Sequence, residues 1–225
     1  MKYFFSLTAI VLFLASCVTE DSSSVDQSRI WTNYTVEYNA AENLTKATAQ
    51  FRFGNSVGTV LELSDPAEVS ANGQNLIFNN VLAPYSYDFV GLVEPVAFTY
   101  SDTEGNVFNN SVNVPAPVTL PSTVTEISKS QAFLLYWEGD ALGPNEIMYV
   151  YIQEQNGTDI RLSFAADTGD EYITISTSEL QDLNTGPANL RLERAFVTSS
   201  LIDPGAGGRI NATYKSPVYA IQIVN

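Results

Sequence analysis

Short segments in which apolar and polar residues alternate follow one another from Arg29 to the end of the chain. The segment 46–53 shows this most clearly, since its odd positions are apolar and its even positions are polar. Successive side chains of a strand point to opposite faces, so the pattern predicts strands with one dry face and one face in water. Asn72-Gly73 and Glu104-Gly105 supply the positive φ that tight hairpin turns need. The chain is therefore predicted to be all-β.

Turn residues bound the predicted strands in both halves of the chain. The strands of the first half are predicted at 31–38, 45–53, 60–63, 76–79, 85–92, 96–100 and 107–114. Those of the second half are predicted at 132–137, 147–153, 160–165, 172–176, 188–198, 209–215 and 218–224. A single short helix is predicted, capped by Thr177 or Ser178 and running through Leu183.

A proline-rich segment separates the two groups of strands. Residues 114–121 contain Pro115, Pro117 and Pro121, and each proline lacks the N–H that a strand donates to its neighbour. The segment is typical of a stiff, extended linker, across which few contacts are expected. We therefore predict two antiparallel β-sandwich domains, at 28–116 and 117–225.

Two apolar segments of the second half carry a family resemblance. Leu135-Tyr136-Trp137, followed by 148–152, resembles the two central strands of an immunoglobulin or fibronectin type III sandwich. The resemblance implies an immunoglobulin-like architecture for this half. It implies nothing about a ligand, because many functions share that fold.

The N-terminus has the composition of a secretion signal. Lys2 is followed by an almost wholly apolar run over 3–15. As a helix this run would span roughly 20 Å, which is too short for a bilayer core of about 30 Å. Leu14-Ala15-Ser16-Cys17 resembles the lipobox of bacterial lipoproteins, which implies removal of residues 1–16 and acylation of Cys17. The alternative is an ordinary signal peptide with a chance cysteine.

Residues 17–27 are polar, acidic and serine-rich, which predicts a flexible tether between the lipid and the first domain. Val18 stands where an aspartate would resemble an inner-membrane retention signal, so the resemblance favours the outer membrane. Glu20-Asp21 resembles the surface-export signal of Bacteroidetes-type lipoproteins, which implies a cell-surface location. The alternative is an acidic tether that serves only solubility.

Composition excludes several classes of function. Histidine is absent, which excludes Ser-His-Asp and Cys-His catalysis and histidine metal ligands. The single cysteine excludes an intramolecular disulfide. A formal net charge of −15 without a Lys/Arg cluster argues against a nucleic-acid partner. The sequence indicates no cofactor and no metal centre.

Acidic residues provide the remaining catalytic and metal candidates. Asp167-Thr168-Gly169 matches the aspartic-protease triplet, but a second triplet is missing, so a turn is expected. Calcium binding by Asp167, Asp170 and Glu171 is left open. Residues 102–106 lack the ligand order of a calcium loop and predict a hairpin turn. Glu138 and Asp140 are the best local carboxylate pair for a hydrolase, although a solvated strand end is the simpler interpretation.

Aromatic residues provide the binding candidates. Met148, Val150 and Ile152 should share the core face of their strand, which turns Tyr149 and Tyr151 to the other face. With Tyr136, these tyrosines could contact a glycan or an envelope protein, or they could pack against neighbouring strands. Trp31 and Trp137 are expected in the cores. The sequence favours a lipid-anchored, non-catalytic binding module, with a small carboxylate hydrolase and a structural spacer as alternatives.

Overall fold

The computed structural model describes residues 19–79, 84–154, 157, 159–198, 200–203 and 205–225, and its described part is almost entirely β-strand. The all-β prediction is confirmed. The strands are β1 Glu20–Asp21, β2 Ile30–Asn39, β3 Leu44–Phe53, β4 Val60–Glu62, β5 Glu68–Ala71, β6 Gln74–Asn75, β7 Ile77–Phe78, β8 Tyr85–Val90, β9 Val96–Ser101, β10 Val107–Val112, β11 Glu126–Ser128, β12 Phe133–Tyr136, β13 Glu146–Glu154, β14 Asp159–Ala165, β15 Tyr172–Ile175, β16 Gly186–Thr198, β17 Gly208–Lys215 and β18 Tyr219–Val224. The helix α1 is Thr177–Gln181, and 3₁₀ turns lie at Ser22–Ser24 and Gln27–Arg29.

One large sheet runs through both halves of the chain, in the order β1-β4-β3-β2-β17-β16-β13-β14. The halves meet where β17 pairs with β2 in parallel, from Gly208 beside Thr32 to Lys215 beside Asn39. Most other neighbours in this sheet are antiparallel, and β2–β3 and β16–β17 pair as consecutive strands. The two halves therefore share a continuous ladder of backbone hydrogen bonds.

A smaller sheet covers the large one in each half. In the first half it is β10-β9-β5-β6, and in the second half it is the pair β12-β15. The Tyr34 and Phe98 rings stack across the first sandwich with centroids 4.6 Å apart. Leu135 and Ile173 are fully buried on the second pair. All these side chains belong to one hydrophobic cluster, so the core is continuous between the halves.

The predicted turns are present. Asn72 and Gly73, with φ of 46° and 76°, join β5 to β6, and Gly105, with φ of 83°, lies between β9 and β10. The helix is also present, but its N-cap is Ser176 and not Thr177 or Ser178. Ser176 and Glu179 form a reciprocal capping box, which satisfies two backbone N–H groups at once. That reciprocity accounts for the helix starting at this serine.

Four described strands were not predicted, namely β1, β5, β6 and β11. Each contributes few apolar residues, and β11 buries only Ile127. β11 is held in place by parallel pairing with the distant β18, which the local pattern cannot reveal. The pairing of β12 also depends on distant residues, since its partner is β15 in a sheet separate from β13.

The prediction of a flexible tether over 17–27 is wrong from Glu20 onward, whereas residues 1–18, including Cys17, lie outside the described residues. β1 pairs in parallel with β4, and the Asp21 carboxylate accepts a hydrogen bond from the Ser23 N–H at 2.9 Å. Ser22 is fully buried, and its carbonyl accepts a hydrogen bond of 2.7 Å from Gln27 Nε2. Polar residues here order the chain by capping their own turns, which composition does not distinguish from a solvated coil.

The proline-rich segment is extended, as predicted, but it does not behave as an exposed linker. Val114, Val118 and Leu120 are buried, and the backbone of Thr119 exchanges hydrogen bonds of 3.0 and 2.9 Å with Glu138. Alternating valine and leucine side chains fill the core between the prolines, so the expected scarcity of contacts is not observed. The division into domains at 116/117 stays a prediction.

The connection between β16 and β17 also joins the halves. Asn110 Nδ2 on β10 donates to the Asp203 carbonyl at 2.9 Å, and Asp203 N–H donates back to Asn110 Oδ1 at 3.0 Å. On the outer face, Lys215 Nζ and Glu37 Oε2 form an ion pair at 2.8 Å. Side chains from each half are thus tied to the other half at both faces of the β17–β2 pairing.

Candidate binding surface

The strand β13 divides its side chains between core and surface as its alternation predicts. Met148, Val150 and Ile152 are fully buried. Tyr149 and Tyr151 are half-buried on the opposite face, with ring centroids 6.3 Å apart. The two tyrosines therefore lie side by side on the outside of the large sheet.

A register shift brings a third aromatic side chain beside them. The pairing of β13 with β14 is interrupted between Val150 and Tyr151, and Tyr149 then lies opposite Phe164. The Tyr149 and Phe164 ring centroids are 6.2 Å apart, and Phe164 is 59% exposed. A bulge re-aims side chains at a sheet edge, and β14 is the edge strand here. Phe164 consequently extends the aromatic surface to the rim of the sheet.

Tyr136, the third predicted contact residue, lies on the smaller sheet. It is directly opposite Tyr172 in the β12–β15 pairing, with ring centroids 5.2 Å apart. The two side chains are 49% and 43% exposed. Cross-strand aromatic pairs of this kind hold each other in one orientation. Tyr136 and Tyr172 therefore form a second pair of rings at the surface.

A groove connects the two groups of rings. Phe164 from β14 and Tyr172 from β15 both line it, and its cavity volume is about 350 Å³. Thr174, Asp167 and Asp170 provide polar groups in the same groove. The aromatic strip is defined as Tyr151, Tyr149, Phe164, Tyr172 and Tyr136, in that order along the surface. It crosses from the large sheet to the small one.

Charged groups lie at the Tyr151 end of the aromatic strip and at the groove within it. The Arg191 guanidinium lies 5.2 Å from the Tyr151 ring centroid and is ion-paired with Glu193 at 2.8 Å. At the groove, Asp170 Oδ2 accepts the Asp167 N–H at 3.0 Å, which fixes the loop after β14. The same loop is tied to Leu142 by two backbone hydrogen bonds of 2.8 and 2.9 Å. These contacts restrict the positions of the Tyr151 ring and of the loop that carries the two carboxylates.

The candidate hydrolase pair is part of a structural corner. Glu138 and Asp140 are both exposed, and Glu138 Oε2 accepts a hydrogen bond from Thr119 at 3.2 Å. The Asp140 carbonyl accepts from Trp137 Nε1 at 3.1 Å and from the buried Arg194 at 2.9 Å. Neither carboxylate lines the groove of the aromatic strip. The backbone contacts give this segment a role in closing the second core.

Trp137 is buried, as expected for a core residue, whereas Trp31 is only half-buried. Trp31 lies against Gly207, where an added Cβ would be 3.0 Å from the indole ring. The glycine therefore leaves the space that the ring occupies. This contact adds to those between the halves.

The acidic turn at 102–106 is a hairpin turn. Asp102 is buried, and its carboxylate accepts hydrogen bonds from Glu104 N–H at 2.9 Å and from Asn106 N–H at 2.8 Å. Its second oxygen accepts from the Asn106 amide at 2.8 Å. Across the described ranges, no three His, Cys, Asp or Glu side chains converge on a possible metal position. Within the same ranges, no helix has both the length and the apolar character to cross a membrane.

Sequence reasoning named three residues of the aromatic strip and missed Phe164 and Tyr172. The alternation of Tyr172 and Thr174 with the buried Ile173 and Ile175 could have placed Tyr172 outward. The side of the sheet on which Phe164 lies could not have been predicted, because it depends on the register shift between β13 and β14. A shift of one residue exchanges the two faces of a strand.

The chain matches no protein-family model and no curated protein. Among solved structures it is similar to the two tandem V-type regions of VCBP3, a v-region-containing chitin-binding protein. The similarity covers 84% of this chain and 99% of that chain at 11% identity, with a TM-score of 0.21. A similarity of this size gives no basis for transferring a ligand.

Proposed function

We propose that this protein is a non-catalytic binding module whose ligand contacts the aromatic strip. The observation that supports the proposal is the outward placement of five aromatic rings in sequence, with neighbouring centroids 5.2 to 6.3 Å apart where they touch. Phe164, Tyr136 and Tyr172 keep 43% to 59% of their surface exposed. Contiguous exposed apolar surface of this kind marks binding sites more often than chance.

We further propose that Cys17 is the acylated N-terminus and anchors the protein to a bacterial outer membrane, at the cell surface. The lipobox resemblance of residues 14–17 supports this part of the proposal. Two or three acyl chains give durable attachment, since each buried CH₂ contributes about 0.8 kcal/mol. Mass spectrometry of the native mature protein tests it. Acylated Cys17 at the N-terminus is expected, and an unmodified thiol contradicts the anchor.

The position of the aromatic strip in the sheet suits a surface-anchored binder. β1 begins three residues after Cys17 and forms one edge of the large sheet, whereas β14 forms the opposite edge. At about 4.8 Å per strand spacing, the seven spacings from β1 to β14 separate the two edges by roughly 34 Å. An anchor at Cys17 would therefore leave the strip at the far edge, away from the point of attachment.

Site-specific photo-crosslinking in the native cell tests whether the strip is occupied. We would replace Phe164 by p-benzoylphenylalanine, which keeps an aromatic group at the rim of the strip. The matched control carries the same analogue at Ile77, which is 73% exposed on β7 in the first half. Crosslinks from position 164 and none from position 77 are expected.

Two outcomes contradict the binding proposal. Crosslinking at neither position would mean that the strip faces solvent in the native envelope. A structural spacer would then be the better hypothesis. Equal crosslinking at both positions would mean that contact is not specific to the strip. A melting curve of each purified variant shows that the analogue has not disturbed the fold.

A further inference from the structure

We infer that the ligand of the aromatic strip is an uncharged glycan chain, an inference that rests on the proposed function. A sugar ring has apolar C–H faces and hydroxyl groups around its edge. The strip presents both kinds of surface, because two flat rings line a groove that is also lined by two aspartates and a threonine. The match lies in the combination of apolar rings and polar groups around one groove.

The groove supplies acceptors where a sugar would present its hydroxyl groups. Phe164 and Tyr172 line it together with Asp167, Asp170 and Thr174. Carboxylates accept hydrogen bonds from hydroxyl donors, and such charge-assisted bonds are stronger than neutral ones. A ligand rich in hydroxyl donors therefore fits the groove better than an acceptor-rich one.

Charge separates neutral glycans from acidic ones. Of the described residues that line the groove, Asp167 and Asp170 carry charge, and both are negative. The whole chain has a formal net charge of −15. A polysaccharide with uronate or sulfate groups would meet repulsion both at the groove and at a distance. The inference is accordingly limited to uncharged chains.

The surroundings of the strip favour a narrow ligand over a protein surface. Beside Tyr149 the outer face of the sheet carries an ion-paired row, in which Glu193 contacts Arg191 at 2.8 Å and Lys215 at 3.9 Å. Protein interfaces of standard size bury about 800 Å² on each partner around a core depleted in charge. The strip is a line of single rings bordered by charges, which suits an extended chain.

Binding to a glycan array, followed by affinity electrophoresis with the positive glycans, tests the inference. The array should contain neutral polysaccharides, such as glucans, mannans and xylans, and acidic ones, such as alginate and polygalacturonate. We expect the wild-type protein to bind at least one neutral chain and no acidic chain. Phe164→Ala and Tyr172→Ala should each weaken that binding about tenfold or more, as truncation of a hot-spot ring does.

Ile77→Ala is the matched control, since it removes an exposed apolar side chain outside the strip, and it should bind as the wild type does. Tyr172→Phe keeps the ring and should retain most of the affinity, which separates stacking from misfolding. Binding to no neutral glycan, preferential binding to acidic glycans, or equal binding by the strip variants would overturn the inference. If crosslinks at position 164 identify a protein while the array is negative, the binding module stands and the glycan assignment falls.

Discussion

The two halves of the molecule differ in where most of their large aromatic side chains lie. In the first half Tyr34, Phe51 and Phe98 are among the largest fully buried side chains. The largest fully buried side chains of the second half are aliphatic residues and one methionine, namely Ile127, Leu135, Met148, Ile152, Ile173, Ile175, Leu180 and Leu190. Among the described residues, the aromatic rings with 43% or more of their surface accessible all belong to the second half.

The difference shows that aromatic content alone does not identify a binding surface. In the first sandwich, Phe51 contacts Tyr100 and Tyr85 with centroids 4.5 and 5.8 Å away, so the rings fill the core. In the second sandwich, mainly aliphatic side chains fill the core together with Trp137 and Tyr214, whereas Tyr136, Phe164 and Tyr172 lie at the surface. The core therefore does not account for the aromatic side chains at the surface of the second half, whereas the proposed binding function does.

The largest expected effect is the difference in free energy of unfolding between truncating a buried aromatic ring and truncating an exposed one. Phe51→Ala should reduce the free energy of unfolding by about 3 to 5 kcal/mol, because it leaves a cavity in the first core. Phe164→Ala should change it by roughly 0.5 kcal/mol or less, the range for a surface substitution. Urea unfolding monitored by circular dichroism measures both values. Similar losses of free energy of unfolding for the two variants would contradict the distinction between a ring in the first core and a ring on the surface of the second half.

The next effect concerns the pairing that joins the halves. A Cβ at position 208 would lie 2.3 Å from the Thr32 carbonyl oxygen and 2.5 Å from Leu201 Cδ1. Gly208→Ala should therefore reduce the free energy of unfolding by about 1 to 3 kcal/mol through overpacking. Chemical denaturation of the intact chain measures this change. An unchanged midpoint would mean that β17 does not pair closely with β2.

Alkaline pH should act mainly on the first half. Burial, and then the charge of Asp102, raises the pKa of Tyr100, whose hydroxyl has no hydrogen-bond partner among the described residues. The unfolded chain then loses its tyrosine proton before the folded chain does. The contribution of the Tyr100 proton to the free energy of unfolding is therefore fully present below about pH 10. It falls as the pH rises further, by about 1.4 kcal/mol per pH unit for such a group.

Tyr100→Phe isolates this contribution, because it removes the ionisable hydroxyl and keeps the ring. The variant should equal the wild type in stability near neutral pH, or exceed it, since an unpaired buried polar group is lost. Above about pH 10 its free energy of unfolding should fall less steeply than that of the wild type. The exposed Tyr172→Phe is the control. Identical alkaline slopes for Tyr100→Phe and the wild type would refute the burial argument.

The smallest expected effect on stability is at the strip itself. Tyr149→Ala and Tyr151→Ala should each lower the melting temperature by no more than a few degrees, because both side chains lie outside the core. Each should weaken binding of the partner by roughly 1 to 3 kcal/mol. Thermal melts and recovery of the crosslinked partner provide the two readouts. Unfolding of both variants would assign these tyrosines a structural role.

Local patterns predicted most strands and their inward and outward faces, as the fully buried Met148, Val150 and Ile152 show. The same alternation placed Tyr149 and Tyr151 on the outer surface. The β17–β2 pairing could not be predicted, because it joins segments that are distant in sequence. The register shift that positions Phe164 is likewise a property of two strands together. The aromatic strip is thus partly a local and partly a tertiary feature.

The most direct test of the central claim compares tyrosine labelling of the purified protein with labelling on intact native cells. Tyr136 and Tyr172 are 49% and 43% exposed, so a tyrosine-selective reagent should modify both in the purified protein. Mass spectrometry would quantify each site against Tyr38, a half-buried tyrosine on β2 in the first half. An occupied strip predicts strong protection of Tyr136 and Tyr172 on cells, with Tyr38 unchanged. Equal labelling of Tyr136 and Tyr172 in both settings would contradict the account.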